Sequence, residues 1–274
     1  MSALASAGAR ARPELRRFWA LTWTLAVTEF KLRFYGSVLG YLWTLARPFM
    51  FFGVIYFVFT EIVGLDKHVP NYGVYILFAL VLFNFFVEAT GGCVACLVSR
   101  EGLLRKMRFP RVVIPLSVVT TALPNLVMTL IVVFVFAVIS GVYPDVEWLE
   151  LPVIIVVLTL LATGVGLLLS ALFVRYRDIQ PIWEVVSQML FYASPVLYVS
   201  TRVPESYQRP YHASPIASLL AETRHAAVDH GAPHAWQAIG GVPRMAIPAG
   251  IVLGVFALGL WVFNREAPRI AENL

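Results

Sequence analysis

Three ionisable side chains, Arg47, Glu88 and Glu184, fall inside long apolar runs of this chain. A charge at membrane depth is costly and faces a bundle interior or water. Arg47 either pairs with one of the two glutamates or meets a phosphate-bearing substrate at the inner entrance. Asn84 and Asn125 lie in neighbouring apolar runs and suit interhelical hydrogen bonds. A stripe of Tyr41, Phe49, Phe52, Tyr56 and Phe59 recurs at near-helical spacing. Such rings either pack against neighbours and lipid, or offer sugar rings a stacking surface without a strong trap. Cys93 and Cys96 form a C-x-x-C pair with no second pair and no nearby histidine, so packing of small residues is expected over metal or redox chemistry.

The motifs of soluble catalysis are missing. No G-x-x-x-x-G-K-[ST], H-E-x-x-H or G-x-S-x-G occurs, so the chain supplies no P-loop for ATP. Asp145, Glu147 and Glu150 lie close together in a short connecting loop, where solvated charge is the default reading. An enzyme built on this sequence would have to hide its acid, base and nucleophile, and no catalytic or metal-binding residues are expected.

The elements that position these groups follow from composition. Of 274 residues, 59% are hydrophobic and 14% charged, and mean hydropathy is +0.77. A soluble domain carries about 25% charged residues, so lipid is the solvent for most of this chain. Residues 1–17 are rich in Ala and Arg and lack an apolar h-region, which argues against a cleaved signal peptide. Six runs approach the roughly 20 apolar residues a span needs: 37–62, 73–98, 112–142, 151–174, 182–199 and 246–263. The basic residues set orientation. With both termini in the cytoplasm, fifteen of the 21 Lys and Arg lie inside and five outside, leaving Arg47 in the first span.

Three further stretches do not span. Residues 15–34 mix Arg16, Arg17, Lys31 and Arg33 with Phe18, Trp19, Trp23, Phe30 and Phe34, which suits an amphipathic interface helix. Residues 99–111 form a compact basic loop that Ser99 can cap and Pro110 close. Residues 200–244 are too long for a simple connection, and 216–228 suit short helices that dip back toward the membrane. The expected class is therefore all-α integral membrane: six transmembrane helices, an N-terminal amphipathic interface helix, and re-entrant outer helices between spans five and six. The expected divisions are a tail and interface helix over 1–36, the transmembrane domain over 37–264, and a C-terminal tail over 265–274.

Lys31 to Pro48, KLRFYGSVLGYLWTLARP, resembles the signature of the membrane subunit of ABC-2-type exporters. The closest likeness is to the branch that exports O-antigen, capsule and teichoic-acid-like glycans. Phe34-Tyr35 stands where Arg-Tyr is commoner, and Arg47 where Asn is common before the proline. Glu101-Gly102-Leu103-Leu104-Arg105-Lys106 through Pro110, Tyr176-Arg177-Asp178 through Pro181, Tyr192 through Val196, and Ser214-Pro215 resemble further segments of that family, in order.

The resemblance implies a homodimer with a channel at its interface, two copies of a separate ABC ATPase subunit, and ATP and Mg²⁺ bound only on that partner. It implies that the interface helix (Arg16, Arg17, Trp23, Lys31, Arg33) and the loop after span two (Glu101, Leu104, Arg105, Lys106, Arg108, Phe109) touch the ATPase. Arg175, Arg177 and Asp178 would be a secondary contact. Tyr41, Arg47, Phe49, Phe52, Tyr56 and Phe59 would line the substrate path. The cargo would be a lipid-linked glycan, the location a bacterial cytoplasmic membrane, and no nucleic acid would be involved. The alternatives are an ABC-2 permease for a small molecule or drug, and a membrane enzyme acting on lipid-linked sugars.

Overall fold

The computed structural model describes residues 2–34, 38–62, 64, 69–106 and 109–273. Side chains are described over the same stretches except 2–15, 33–34, 38–42, 44–45 and 267–273. No strand occurs among the described residues. The helices are α1 (Ser2–Phe34), α2 (Val38–Phe57), α3 (Tyr72–Val94), α4 (Cys96–Ser99), α5 (Glu101–Lys106), α6 (Val113–Ile139) and α7 (Glu150–Arg175). They continue with α8 (Ile179–Ala193), α9 (Glu205–His212), α10 (Pro215–Ala227), α11 (Ala235–Ile239) and α12 (Ala246–Asn273). A π-helical turn, Val58–Ile62, extends α2, and a 3-10 turn, Val146–Leu149, leads into α7.

The third helix is the hub. It is apolar on every side, and a helix apolar all round belongs in the middle of a bundle. Its residues from Val74 to Phe83 are all buried, and it packs against α2, α6, α7, α8 and α10. Around it, α6 and α7 add one buried stripe each, while Val127, Ile131, Val135 and Ile139 of α6 and Val153 and Val156 of α7 are exposed. In a lipid solvent such faces carry no penalty.

Glycines set the closest approach. The backbones of α7 and α12 touch at Gly164, where an added Cβ would lie 2.7 Å from Phe256 Cα. Gly259 of α12 sits against the Gly164 carbonyl in return. Gly166, on the next face of α7, meets Cys93 of α3; a Cβ there would be 2.8 Å from Sγ. Small residues let membrane helices pack this closely. Both cysteines are free and buried, and Cys93 fills the space that Gly166 leaves.

Four helical stretches are long and apolar enough to cross a bilayer among the described residues: Tyr72–Val94, Val113–Ile139, Val146–Arg175 and Val242–Glu266. They coincide with the second, third, fourth and sixth runs expected from sequence. The first run corresponds to α2, which has 20 residues with Pro48 inside. The fifth differs more. The helix stops at Ala193 after 15 residues, about 22 Å at 1.5 Å per residue, against a hydrocarbon core of ~30 Å.

Beyond Ala193 the chain is irregular, and its carbonyls find partners on α3. The Tyr72 hydroxyl donates to Leu197 O at 2.6 Å. The Tyr75 hydroxyl bonds Pro195 O and lies 3.1 Å from Tyr198 O. Irregular backbone at such a depth is tolerated where protein covers it. Of the segment after it, α10 is the most deeply placed. Ten of its residues are buried, and it packs on α3, α7 and α12.

Candidate transport and coupling surfaces

One end of the bundle gathers the basic residues. Leu104 of α5 and Phe109 pack on a small core formed by Cys96, Leu97, Ile114, Leu167, Ala171 and Phe263. This fixes α5 across α4 and the adjoining parts of α6, α7 and α12. Its other face carries Arg105 and Lys106, both exposed. Arg105 pairs with Glu101 at 2.6 Å one turn away, an i,i+4 pair worth ~0.3–0.5 kcal/mol when exposed. At the end of α7, Arg175 stacks over Tyr176 and Arg177 over Phe173, at 5.3 and 5.0 Å from the ring centroids. Asp178 is exposed beside them. Arg108 lies outside the described residues.

The first helix is tied to this end. Thr22 and Ala26 lie buried one turn apart on the face of α1 that packs on α6. Thr121 Oγ1 donates to Ala26 O at 3.3 Å. Arg16, Arg17, Trp19, Trp23 and Lys31 are exposed; the Arg33 side chain lies outside the described residues. The strongest tether is an ion pair between Glu29 and Arg100. Arg100 also donates from Nη1 to Ile114 O and Ser117 Oγ, each at 3.4 Å. One guanidinium thus joins α1, the start of α5 and the start of α6. The pair carries no signal in the sequence, because 71 residues separate its members and neither stands out in its own segment.

The aromatic residues of α2 divide in the fold. Phe52 is buried, stacked on Tyr56 at 5.5 Å and edge-on to Phe136 of α6 at 5.6 Å. The Tyr56 ring closes over Gly73, where a Cβ would meet it at 2.6 Å. Phe49 and Phe59 are half-buried against the main core. The Tyr41 side chain lies outside the described residues. Trp43, Met50, Phe51, Val54 and Phe57 form the open face of the same helix. Phe51 reaches Phe191 of α8 at 6.4 Å, and α8 in turn exposes Ile182, Val185, Met189 and Tyr192.

Arg47 is exposed on α2 and borders a cavity of about 580 Å³ between α2, α3 and α6, with Asn84, Glu88, Asn125 and Thr129. Among the described residues it makes no ion pair, so the expected pairing with Glu88 or Glu184 does not form there. Glu88 instead accepts from Asn125 Nδ2 at 2.8 Å, the interhelical bond expected of that asparagine. Glu184 is exposed on α8 and accepts from Gln180 at 3.5 Å. A second cavity, about 490 Å³, runs from Glu88 to Glu29 and Leu32 of α1. Polar groups therefore continue from mid-bundle to the underside of α1. No group of three metal ligands occurs among the described residues.

Helices long and apolar enough to span a bilayer, packed around a buried hub with a basic plate at one end, mark an integral membrane protein. The ABC-2 type transporter family matches residues 20–228, and the chain belongs to that family of transport permeases. An O-antigen export system permease protein RfbA of Klebsiella pneumoniae is 28% identical, covering 90% of this chain and 92% of the relative. A protein of the same name from Myxococcus xanthus is 28% identical over 95% and 98%. The polysialic acid transport protein KpsM of Escherichia coli is 21% identical over 74% and 79%.

Proposed function

We propose that this chain is the membrane-spanning permease subunit of an ATP-driven exporter that moves a lipid-linked cell-surface polysaccharide outward across a bacterial cytoplasmic membrane. The observation that carries the reading is likeness along nearly the full length to permeases named for O-antigen export. ATP hydrolysis belongs to a separate subunit, since this chain holds no P-loop. Six crossings, with α2 and α8 as the first and fifth and both termini inside, place the basic plate of α5, Arg175 and Arg177 on the cytoplasmic face.

The partner ATPase docks on that plate. Closure of the ATPase pair pushes on α5 and α1, and the Glu29–Arg100 pair passes the push to α6. Two copies meet through the open faces of α2 and α8, which are largely apolar, adjacent and not covered by the other described helices. The passage between them is the path for the glycan.

The test is purification of the tagged permease from native membranes in mild detergent, with an ATPase assay on the eluate. The reading expects a co-purifying ATPase subunit in roughly equal amount, and export of glycan by the pair in reconstituted vesicles. A permease that elutes alone, with no hydrolysis and no export, refutes it.

A further inference from the structure

The end of the bundle opposite the basic plate holds a cluster of histidines and carboxylates drawn from two connections. Asp145 and Glu147 belong to the link between α6 and α7. His225 ends α10, and His230 and His234 follow it. His225 Nε2 lies 3.5 Å from Glu147 Oε2. His230 Nδ1 contacts the same oxygen, and its Nε2 lies 3.9 Å from Asp145. Glu147 Oε2 is sealed from solvent although the side chain is partly exposed.

The tautomers follow from the bonds. His225 Nδ1 lies 2.7 Å from the Ala232 carbonyl. A carbonyl only accepts, so Nδ1 carries the hydrogen. A neutral His225 then turns the bare lone pair of Nε2 toward a carboxylate oxygen. Two acceptors face each other across 3.5 Å in a buried site, an arrangement that costs free energy until a proton sits between them. His234 differs. Its Nδ1 donates to Glu222 Oε1 at 2.8 Å, so it is satisfied as the neutral ring. Its ring lies 3.5 Å from that of His225, and two charged rings at that distance repel. The contact left without a hydrogen among neutral rings is therefore His225 Nε2 against Glu147, with His230 on the same carboxylate between Glu147 and Asp145.

We propose that His225 and His230 form a proton-operated latch that clamps the turn before α7 onto α10 and the loop after it. When the rings are charged, Glu147 is gripped from two sides and residues 142–149 are held against residues 225–234. When they are neutral, the His225–Glu147 contact opens. The other charged groups around the cluster are accounted for. Arg224 pairs with Asp229 at 3.1 Å, and Glu222 is spent on His234 and the Ala235 amide. Glu150 opens α7 just beyond the turn, Tyr75 of α3 is engaged with Pro195, and α11 carries no charge. His212, on α9, lies at the far end of α10. Under the proposed orientation this end faces outward, where pH follows the surroundings; the latch itself rests only on its geometry.

The experiment is amide hydrogen exchange on the purified permease, corrected for intrinsic rates, at about pH 5.5 and pH 8, which bracket histidine titration. The expected result is several-fold stronger protection of residues 142–149 and 226–234 at the lower pH. Glu147→Gln, a change at a partly exposed site, is expected to flatten that difference without altering the rest of the chain. His225→Gln, which cannot take the proton, is expected to do the same. Protection independent of pH in the wild-type protein overturns the latch. Undiminished pH dependence in both variants overturns it as well. So does protection at neutral pH that a chelator abolishes, since a metal would then hold the cluster. None of these readouts depends on export, so the latch and the exporter reading fail separately.

Discussion

Replacing Gly164 by alanine tests the packing of the whole bundle. A Cβ at this position would lie 2.7 Å from Phe256 Cα, 2.8 Å from Phe256 N and 3.0 Å from Val255 C. All three are backbone atoms, so no side-chain rotation relieves the clash. Ordinary contact begins near 3.5 Å, so α7 and α12 must separate by roughly 1 Å, and a gap of that size forfeits a quarter to a half of the dispersion energy of each neighbouring contact. Overpacking of this kind costs ~1–3 kcal/mol, and the backbone obstruction places Gly164→Ala in the upper part of that range. The better helix propensity of alanine returns up to ~1 kcal/mol. The net loss is ~1–2 kcal/mol, a fall in apparent melting temperature of roughly 2–6 °C for a chain of this size.

The assay is thermal unfolding of the purified protein in one detergent, followed by size-exclusion recovery. Gly254→Ala is the control. It lies on α12 as well, and a Cβ there meets nothing within 4 Å, so only the propensity gain remains and its stability is expected to be unchanged or higher by up to ~1 kcal/mol. Equal melting of the two variants would refute the argument that backbone contact at Gly164 sets the distance between α7 and α12.

Reversing the exposed charges of α5 with Arg105→Glu and Lys106→Glu is expected to leave melting unchanged and to uncouple ATP hydrolysis from export; normal export by that protein removes the docking role of the plate. Glu29→Gln breaks the pair with Arg100 and is expected to raise amide exchange in α1 by several-fold while α3 stays protected; unchanged exchange in α1 shows that the pair holds nothing. Phe52→Ala empties a site between Tyr56 and Phe136 and is expected to cost ~3–5 kcal/mol, whereas Phe51→Ala on the open face is expected to be near neutral in a monomer and to weaken dimerisation in cross-linking; the reverse ranking contradicts the division of α2. Burial lowers the pKa of His212, whose Nδ1 has no hydrogen-bond partner. A lowered folded-state value gives full stability above the unfolded value of about 6.5 and loss as pH falls below it toward the folded value. Protection of residues 205–212 is thus expected to weaken in acid, opposite in sign to the latch, and His212→Phe is expected to abolish that weakening.

Local physics wrote much of this protein legibly into its sequence. Shortage of charge dictated a lipid solvent, because too little polar surface remains to cover a water-soluble globule. Apolar length located the helices at Tyr72–Val94, Val113–Ile139, Glu150–Arg175 and Ala246–Asn273, since a span is a one-dimensional property of the chain. The order of motifs from Lys31 to Ser214-Pro215 pointed to the family. What needed the third dimension was every relation between distant segments. Glu29 and Arg100 meet because α1 lies across α6. Arg47 and Glu88 border one cavity, and it is Asn125 that hydrogen-bonds Glu88 there. The run at 182–199 ends its helix at Ala193 because Pro195 drives Ser194 into extended backbone, and the fold decides only that tyrosine hydroxyls of α3 satisfy the carbonyls that follow. Five histidines scattered in the sequence gave no signal; three of them converge with carboxylates only because α10 sinks between α3, α7 and α12 and carries its end to the turn before α7. Periodicity and composition report how each segment meets its solvent, while which segment meets which is decided by close packing of the whole.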